Sequence, residues 1–521
     1  MPSAASSDPQ GTNTWLWFLV VAITLWRLVA AYFMPVTQDE AYYFDWARSL
    51  DWGYFDHPPG VALLGIGTWL APASSLAARL GTVIASTLTL LVLTSLFRNC
   101  GLKEPKDLLL AALLAVATLP GIAGGIIATP DTVLALCWAI ALHEALPALR
   151  GNRKRWLTAG CATGLGLLGK YTMVLIGPVF LWAILWTDPR ALRTPWPYLG
   201  LLLAALAFSP NVLWNVDNDW LTMRFQFGHG FSTETGALLL EPTMQTPTEP
   251  EASMNLAERG ASLGAYLATQ AALWGLIAPI GIAALLRRRD RIDLRTTISQ
   301  ALDRPARALL TAAALFPLLF FALIASFSEV EPNWPVMYLA AAVPFVALAL
   351  RGLRGWTILA AAGNLLLASL YVYHGATAGL PLPDSQNRIL RETHGFKALA
   401  AEAAELPGPV FAARYQTTAM LNFYQPELEA NQWTGITRPS EYLRGRIARP
   451  VTKLEIEKAG GFWLITTRPW AQDLAGYRGQ KVRELIDCAR MPLQESGGGE
   501  IPCAKPLHLW RIYHYEPHEK T

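Results

Sequence analysis

The sequence predicts a mainly α-helical, polytopic membrane bundle of about eleven spans, followed by a small C-terminal α/β domain outside the membrane. Three observations carry this. Of 521 residues, 53% are hydrophobic and only 16% charged, against about 25% charged in an average soluble domain. Apolar runs of bilayer length recur over the first three-quarters of the chain. The chain also holds 20 tryptophans, a residue that favours the membrane–water interface. This hydrophobicity excludes a disordered chain and a water-soluble enzyme. A net charge of only +3 gives no electrostatic case for nucleic acid as a partner, whereas membrane lipids are required by the apolar surface.

The apolar runs fall at 15–34, 77–97, 107–127, 132–149, 156–170, 171–187, 197–216, 263–286, 308–327, 335–350 and 356–374. The first is read as a retained span, since no small-residue cleavage site follows it. The run 156–187 is split into two short spans at Gly169-Lys170. Basic residues sort by loop. One set carries Arg98, Lys103 and Lys106, then Arg150 to Arg155, Arg190 and Arg193, the cluster from Arg287 to Arg307, and Arg351 and Arg354. The alternate loops hold Arg48, Lys170, Arg224 and Arg259. The positive-inside rule then places the N-terminus in the cytoplasm and, with an odd span count, the C-terminus outside. Residues 1–375 form the membrane domain. Residues 376–521 alternate short apolar runs (Pro409–Ala412, Phe462–Thr466), helix-like segments and Gly/Pro turns, as a soluble α/β domain does. Of five cysteines, Cys488 and Cys503 lie in that domain, where an oxidising compartment permits a disulfide.

Chemistry is expected where acids meet apolar surroundings on the outer side. The first outer loop reads Thr37-Gln38-Asp39-Glu40-Ala41-Tyr42-Tyr43, then Gly53-Tyr54-Phe55-Asp56-His57-Pro58-Pro59. Its acids either cap an interfacial helix or act on a substrate. Asp131 follows Pro130 at a helix start, where an acid is also at home. The loop Ser328-Glu329-Val330-Glu331-Pro332-Asn333-Trp334 adds two acids, an amide and an aromatic. Lys170 either snorkels to head groups or meets a phosphate. Carboxylates suit removal of a hydroxyl proton, and cations suit a departing phosphate. No phosphate-cradling P-loop and no zinc-like Cys/His spacing occurs. The connection 217–262 is long, and its Glu241–Glu251 stretch reads as a mobile loop or a lid.

Taken in order, Asp39-Glu40-Ala41-Tyr42-Tyr43, Gly53 to Pro59, Thr129-Pro130-Asp131, Gly169-Lys170-Tyr171-Thr172, Pro210 to Asn215 and Glu331 to Pro335 resemble bacterial GT-C membrane glycosyltransferases of the family 39/83 type. These are relatives of protein O-mannosyltransferases and of lipid A aminoarabinose and galacturonic acid transferases. Arg414-Tyr415-Gln416 and Asn422-Phe423-Tyr424 extend the likeness into the C-terminal domain. The resemblance implies a GT-C fold and a polyprenyl-phosphate-linked sugar as donor. The acceptor would be a hydroxyl of lipid A, a glycan or a protein on the periplasmic face of a bacterial inner membrane. It implies Asp39 as general base, with Glu40 its motif partner and Asp131 a second acid of the same cavity. Lys170, with His57 and Arg224, would meet the donor phosphate. His57 stands where the aminoarabinose transferases carry a lysine, which makes Lys170 the better phosphate partner. Tyr42, Tyr43, Asp56, Glu329, Glu331, Asn333 and Trp334 would line the substrate site. Some relatives with acid-rich loops use a divalent ion, so Mg or Mn is a possible cofactor. The rival classes are a lipid-linked saccharide transporter or flippase, which would place charges near the midplane with internal repeats, and an O-antigen ligase or polymerase, which would rely on outer-loop arginines that look scarce here.

Overall fold

In the computed structural model, the described residues are 9–230, 255–286, 290–328, 330–383, 387–469, 471–496, 502–503 and 505–518. The apolar runs fold as helices because a backbone in lipid must satisfy its own hydrogen bonds. The bundle contains α1 (Pro9–Phe33), an interfacial α2 (Gln38–Arg48), α3 (Ser75–Cys100), α4 (Pro105–Ala117), α5 (Pro130–Leu149), α6 (Arg155–Gly169), α7 (Ile176–Thr187), α8 (Trp196–Asp217), α9 (Leu221–Gly230), α10 (Leu256–Ala272), α11 (Ile277–Leu286), α12 (Arg304–Ala325), α13 (Leu339–Ala349) and α14 (Arg354–Thr377). Six helices among the described residues are long and apolar enough to cross a membrane, seven if α10 and α11, bent by 106°, form one broken span. The remaining expected spans are shorter helices. The run expected at 107–127 stops at Ala117, because Thr118 caps a separate short helix, Leu119–Ala123. A 13-residue helix rises only about 20 Å, short of a bilayer core.

Outward faces are apolar: Trp15, Phe18, Leu201, Leu206, Leu319, Leu323, Leu359 and Leu366 are exposed. On a water-soluble protein such a surface would drive aggregation; here it belongs against lipid, and the chain is a multi-pass membrane protein. The basic loop set meets at one end of the bundle, where Arg150 pairs with Asp303 at 2.8 Å and Arg153 with Asp188 at 2.9 Å. The acids of interest gather at the other.

After α14 come α15 (Arg388–Thr393), α16 (Phe396–Ala404) and a six-stranded mixed sheet. Its strands are β1 (Val410–Ala412), β2 (Asn431–Gln432), β3 (Phe462–Thr466), β4 (Tyr477–Asp487), β5 (Gln494–Glu495) and β6 (His508–Pro517), in the order β2-β1-β3-β6-β4-β5. β1 runs parallel to β2 and β3; the other pairings are antiparallel. Cys488 and Cys503 are disulfide-bonded. The helix α17 (Tyr415–Tyr424), which leaves β1, lies on α2. One apolar core runs without a break from Tyr42, Phe44 and Trp46 to Met420, Phe423 and Trp510.

The junction between α1 and α2 is held by one buried ion pair. Thr37 caps α2 and Glu40 closes the reciprocal capping box. Glu40 and Arg79 are both fully buried. Arg79 Nε donates to Glu40 Oε1 at 2.8 Å, and its other nitrogens reach the carbonyls of Met34 and Pro35. The Ala128 amide donates to the same carboxylate at 2.9 Å. Four chain segments therefore converge on one side chain. Removing one partner of a buried pair leaves an uncompensated charge. Glu40→Gln is expected to lower stability by about 3–5 kcal/mol, read as an earlier thermal unfolding transition in detergent, and Glu40→Gln with Arg79→Met should recover part of the loss.

Candidate active site

Asp39 occupies the second position of α2, one residue before the capping Glu40, so the helix start turns Asp39 into the open and Glu40 inward. Asp39 is exposed, yet protein surrounds it. That burial, with Glu392 and Asp56 nearby, pushes its carboxyl above the ordinary range, against the opposing pull of Arg438 and of the hydrogen bond that Tyr415 donates to Oδ1 at 3.3 Å. The Arg438 guanidinium lies 4.2 Å from the centre of the Tyr415 ring and pairs with Asp56 Oδ1 at 2.7 Å. Burial lowers His57 to a pKa of about 4, so its ring is neutral at pH 7. Gln226 of α9 sits 3.2 Å from His57 Nδ1 and donates to the Asp56 carbonyl.

On the bundle side, the break between α6 and the short helix Tyr171–Leu175 puts Lys170 at a helix end. Its Nζ meets Asp131 Oδ1 at 2.7 Å, and Asn333 Nδ2 donates to Asp131 Oδ2 at 2.7 Å. Asp131 and Lys170 both act on the charge of His57, as do Asp56 and Arg438. Asp131, Glu331, Asn333 and Arg388 line a cavity of about 500 Å³ that runs into the bundle along α5 as far as Trp138. Asp39 does not line this cavity. Arg388, which does, feels both Glu331 and Asp39.

The arrangement joins Asp39, Asp56, His57, Asp131, Lys170, Glu331 and Asn333 on one face. It separates others. Glu40 is engaged entirely with Arg79, Thr37 and Ala128, so the capping reading holds for Glu40 and leaves Asp39 for chemistry. Tyr42 is buried, its hydroxyl accepting from the Glu441 amide at 2.7 Å; it is a wall of the site. Tyr43 lies with its ring centre 5.9 Å from that of His57. Arg224 turns back to the carbonyl of Asp219, and Gln226, two residues on, reaches His57 instead. Trp334 packs against Phe321 and is absent from the cavity lining. Glu329 and the Glu241–Glu251 stretch lie outside the described residues. Among the described residues no group of three or more His, Cys, Asp or Glu side chains is placed to hold a metal ion.

The expected shortage of outer arginines needs correction. Arg79 arrives from the start of α3, and Arg438, Arg444 and Arg388 from the C-terminal domain. Loop counting passed over Arg79 because it lies inside an apolar run, and the others because the tertiary fold alone brings them to the membrane face. Close approaches also shape the wall: a Cβ on Gly53 would sit 2.4 Å from the Trp214 ring, and Asn211 Nδ2 donates to the Trp52 carbonyl at 2.6 Å.

Residues 56–214 match the family described as dolichyl-phosphate-mannose-protein mannosyltransferase. The chain is 28% identical over 213 residues to lipid A galacturonosyltransferase RgtD of Rhizobium johnstonii, covering 40% of this chain and 44% of that one. It is 29% identical over 224 residues to undecaprenyl phosphate-alpha-4-amino-4-deoxy-L-arabinose arabinosyl transferase 1 of Sodalis glossinidius, covering 39% and 40%. The matched region thus spans less than half the length of these relatives. The crystal structure of ArnT from Cupriavidus metallidurans superposes with a TM-score of 0.61 at 14% identity in the apo state, over 95% of this chain and 97% of that one. Its undecaprenyl phosphate complex gives 0.58 at 15% identity over the same shares. Residues 56–214 are thus similar to this mannosyltransferase family, and the chain has the GT-C fold.

The Asp39 environment makes a directional prediction. Glu392→Gln removes a like charge and should lower the Asp39 midpoint. Tyr415→Phe removes a hydrogen bond to the ionised form and should raise it. Infrared difference titration of the carboxyl band, with Asp39→Asn as the blank, reads both.

Proposed function

We propose that this protein transfers a sugar from a polyprenyl-phosphate donor to a hydroxyl of lipid A or another envelope acceptor, with inversion, on the periplasmic face of a bacterial inner membrane. The observation that carries the reading is Asp39: an accessible carboxylate ringed by Tyr415, Arg438 and Asp56, and joined through Asp56, Arg438 and His57 to a Lys170–Asp131 pair whose aspartate lines an apolar cavity. The named activities of the relatives, a lipid A galacturonosyltransferase and an arabinosyl transferase with an undecaprenyl-phosphate sugar, support the substrate classes.

The chemistry follows from the charges. Asp39 takes the proton of the acceptor hydroxyl. The freed oxygen pair forms the new bond to the anomeric carbon while the bond from that carbon to the phosphate oxygen breaks, and its electrons leave with the lipid phosphate. The raised affinity of Asp39 for a proton makes it a better base than an ordinary surface carboxylate, provided it starts ionised. Lys170 and Arg438 balance the leaving charge. Neutral His57 contributes hydrogen bonding and no charge. The donor is already activated, so positioning and exclusion of water are what the protein adds.

Orientation has independent support. A Cys488–Cys503 disulfide belongs to an oxidising compartment, on the same side as Asp39 and opposite the Arg150 and Arg153 cluster, as positive-inside placement requires. The N-terminus is then cytoplasmic, residues 1–375 the membrane-embedded catalytic part, and 376–521 periplasmic.

Asp39→Asn should reduce transfer by about 10²–10⁴-fold while donor binding persists, measured as sugar incorporation in proteoliposomes; full activity in that variant would remove the base. The acid limb of kcat/KM should move with Asp39, because transfer needs it ionised: downward in Glu392→Gln, upward in Tyr415→Phe. Mass analysis of lipid A and envelope glycans after gene deletion would name sugar and acceptor through a single missing increment.

A further inference from the structure

Arg27 stands in the middle of the first apolar run, 3% exposed. Its Nη2 donates to the Gly121 carbonyl at 3.3 Å, while Nε and Nη1 have no hydrogen-bond partner. Among the described residues no carboxylate pairs with it. It lines the 500 Å³ cavity together with Ser86, Thr89, Leu93 and Trp138. The backbone is shaped to its side chain: a Cβ on Gly125 would fall 2.3 Å from Arg27 Nε. Every other buried cation near the candidate active site has an acid: Lys170 has Asp131, Arg79 has Glu40, Arg438 has Asp56 and Arg444 has Glu441.

A charge inside a membrane bundle is costly to keep without a partner. The guanidinium offers a planar fork of donors matched to phosphate, and the walls around it (Leu90, Leu93, Val116, Leu134, Trp138, Val343) are apolar. An anionic head joined to a long hydrocarbon satisfies both. We propose that this cavity binds a phosphate ester carried on an apolar chain, with Arg27 as the anion anchor, at a subsite separate from the Asp131–Lys170 pair. The proposal rests on the lipid-phosphate reading above and adds to it a second point at which a lipid phosphate is held, apart from the Lys170 and Arg438 cations that balance the leaving charge. Two lipids share the chemistry: the polyprenyl phosphate of the donor and a phosphorylated lipid A acceptor.

The test uses full-length protein in nanodiscs carrying Ser86→Cys, a conservative change in the cavity wall, with Cys161 as the exposed reference and Cys137 as the buried one. Maleimide labelling is read by peptide mass spectrometry in the presence of undecaprenyl phosphate, undecaprenol, lipid A or inorganic phosphate. Undecaprenyl phosphate is expected to slow labelling at the Ser86 position at least about fivefold, and undecaprenol and inorganic phosphate to leave it unchanged. Arg27→Met should raise the half-protecting concentration at least about tenfold, with Arg27→Lys between. Protection by lipid A alone upholds the anchor and assigns it to the acceptor. Equal protection by undecaprenol, or an unchanged half-protecting concentration in Arg27→Met and Arg27→Lys, overturns it. Should those variants fail to fold, the comparison of phosphate with alcohol on intact Arg27 still decides. The assay is repeated with Asp39→Asn, where transfer is expected to fall. Lost transfer with retained protection leaves the anchor standing, and transfer without any protection sinks the anchor alone.

Discussion

The whole face that carries Asp39 depends on the Glu40–Arg79 pair. It is buried without exposure to water, and it ties the end of α1, the cap of α2, the start of α3 and the Ala128 turn to a single point. With that point fixed, α2 lies at a set angle on the bundle, and Asp39 can project from its first turn in one direction only. A carboxylate expected to take a proton gains from this, because its neighbours Tyr415, Arg438 and Asp56 are placed against a helix that does not swing.

The electrostatics show two compartments of different character. Around Asp39 and His57 the groups are dense, paired and aromatic, and charge there is graded finely: one acid raised, one imidazole held neutral. Along α5 the cavity is sparse and oily, with a lone guanidinium at depth. A lipid-linked sugar has the same split, polar at one end and hydrocarbon at the other, with a phosphate at the joint. Arg388 bridges the two compartments, lining one and sensing the acid of the other.

Much of this was legible in sequence, and the reasons differ by residue. Apolar length announced the long helices, and alternating basic loops announced two faces. The motif acids Asp39, Asp56 and Asp131 and the break at Lys170 were legible because each sits at a helix start or end beside the outer boundary. Span counting went further than helix length allows, since Thr118 interrupts a run that hydropathy alone treats as continuous. Arg79 and Arg27 were missed through being hidden in apolar runs, though a charge in such a run is itself a signal. Arg438 and Glu392 were beyond reach of any local reading: they stand hundreds of residues from Asp39 and meet it only because α17 packs on α2 and the sheet follows. Glu40 was the reverse case, a motif residue whose capping pattern was visible beforehand and proved to be its whole occupation.

The docking of the C-terminal sheet on α2 has a consequence in time. Tyr415 and Arg438 are synthesised after every helix of the bundle. Until then Asp39 has neither its hydrogen-bond donor nor its counter-charge. The surroundings of Asp39 are therefore complete only once the C-terminal domain has been made and has packed on α2.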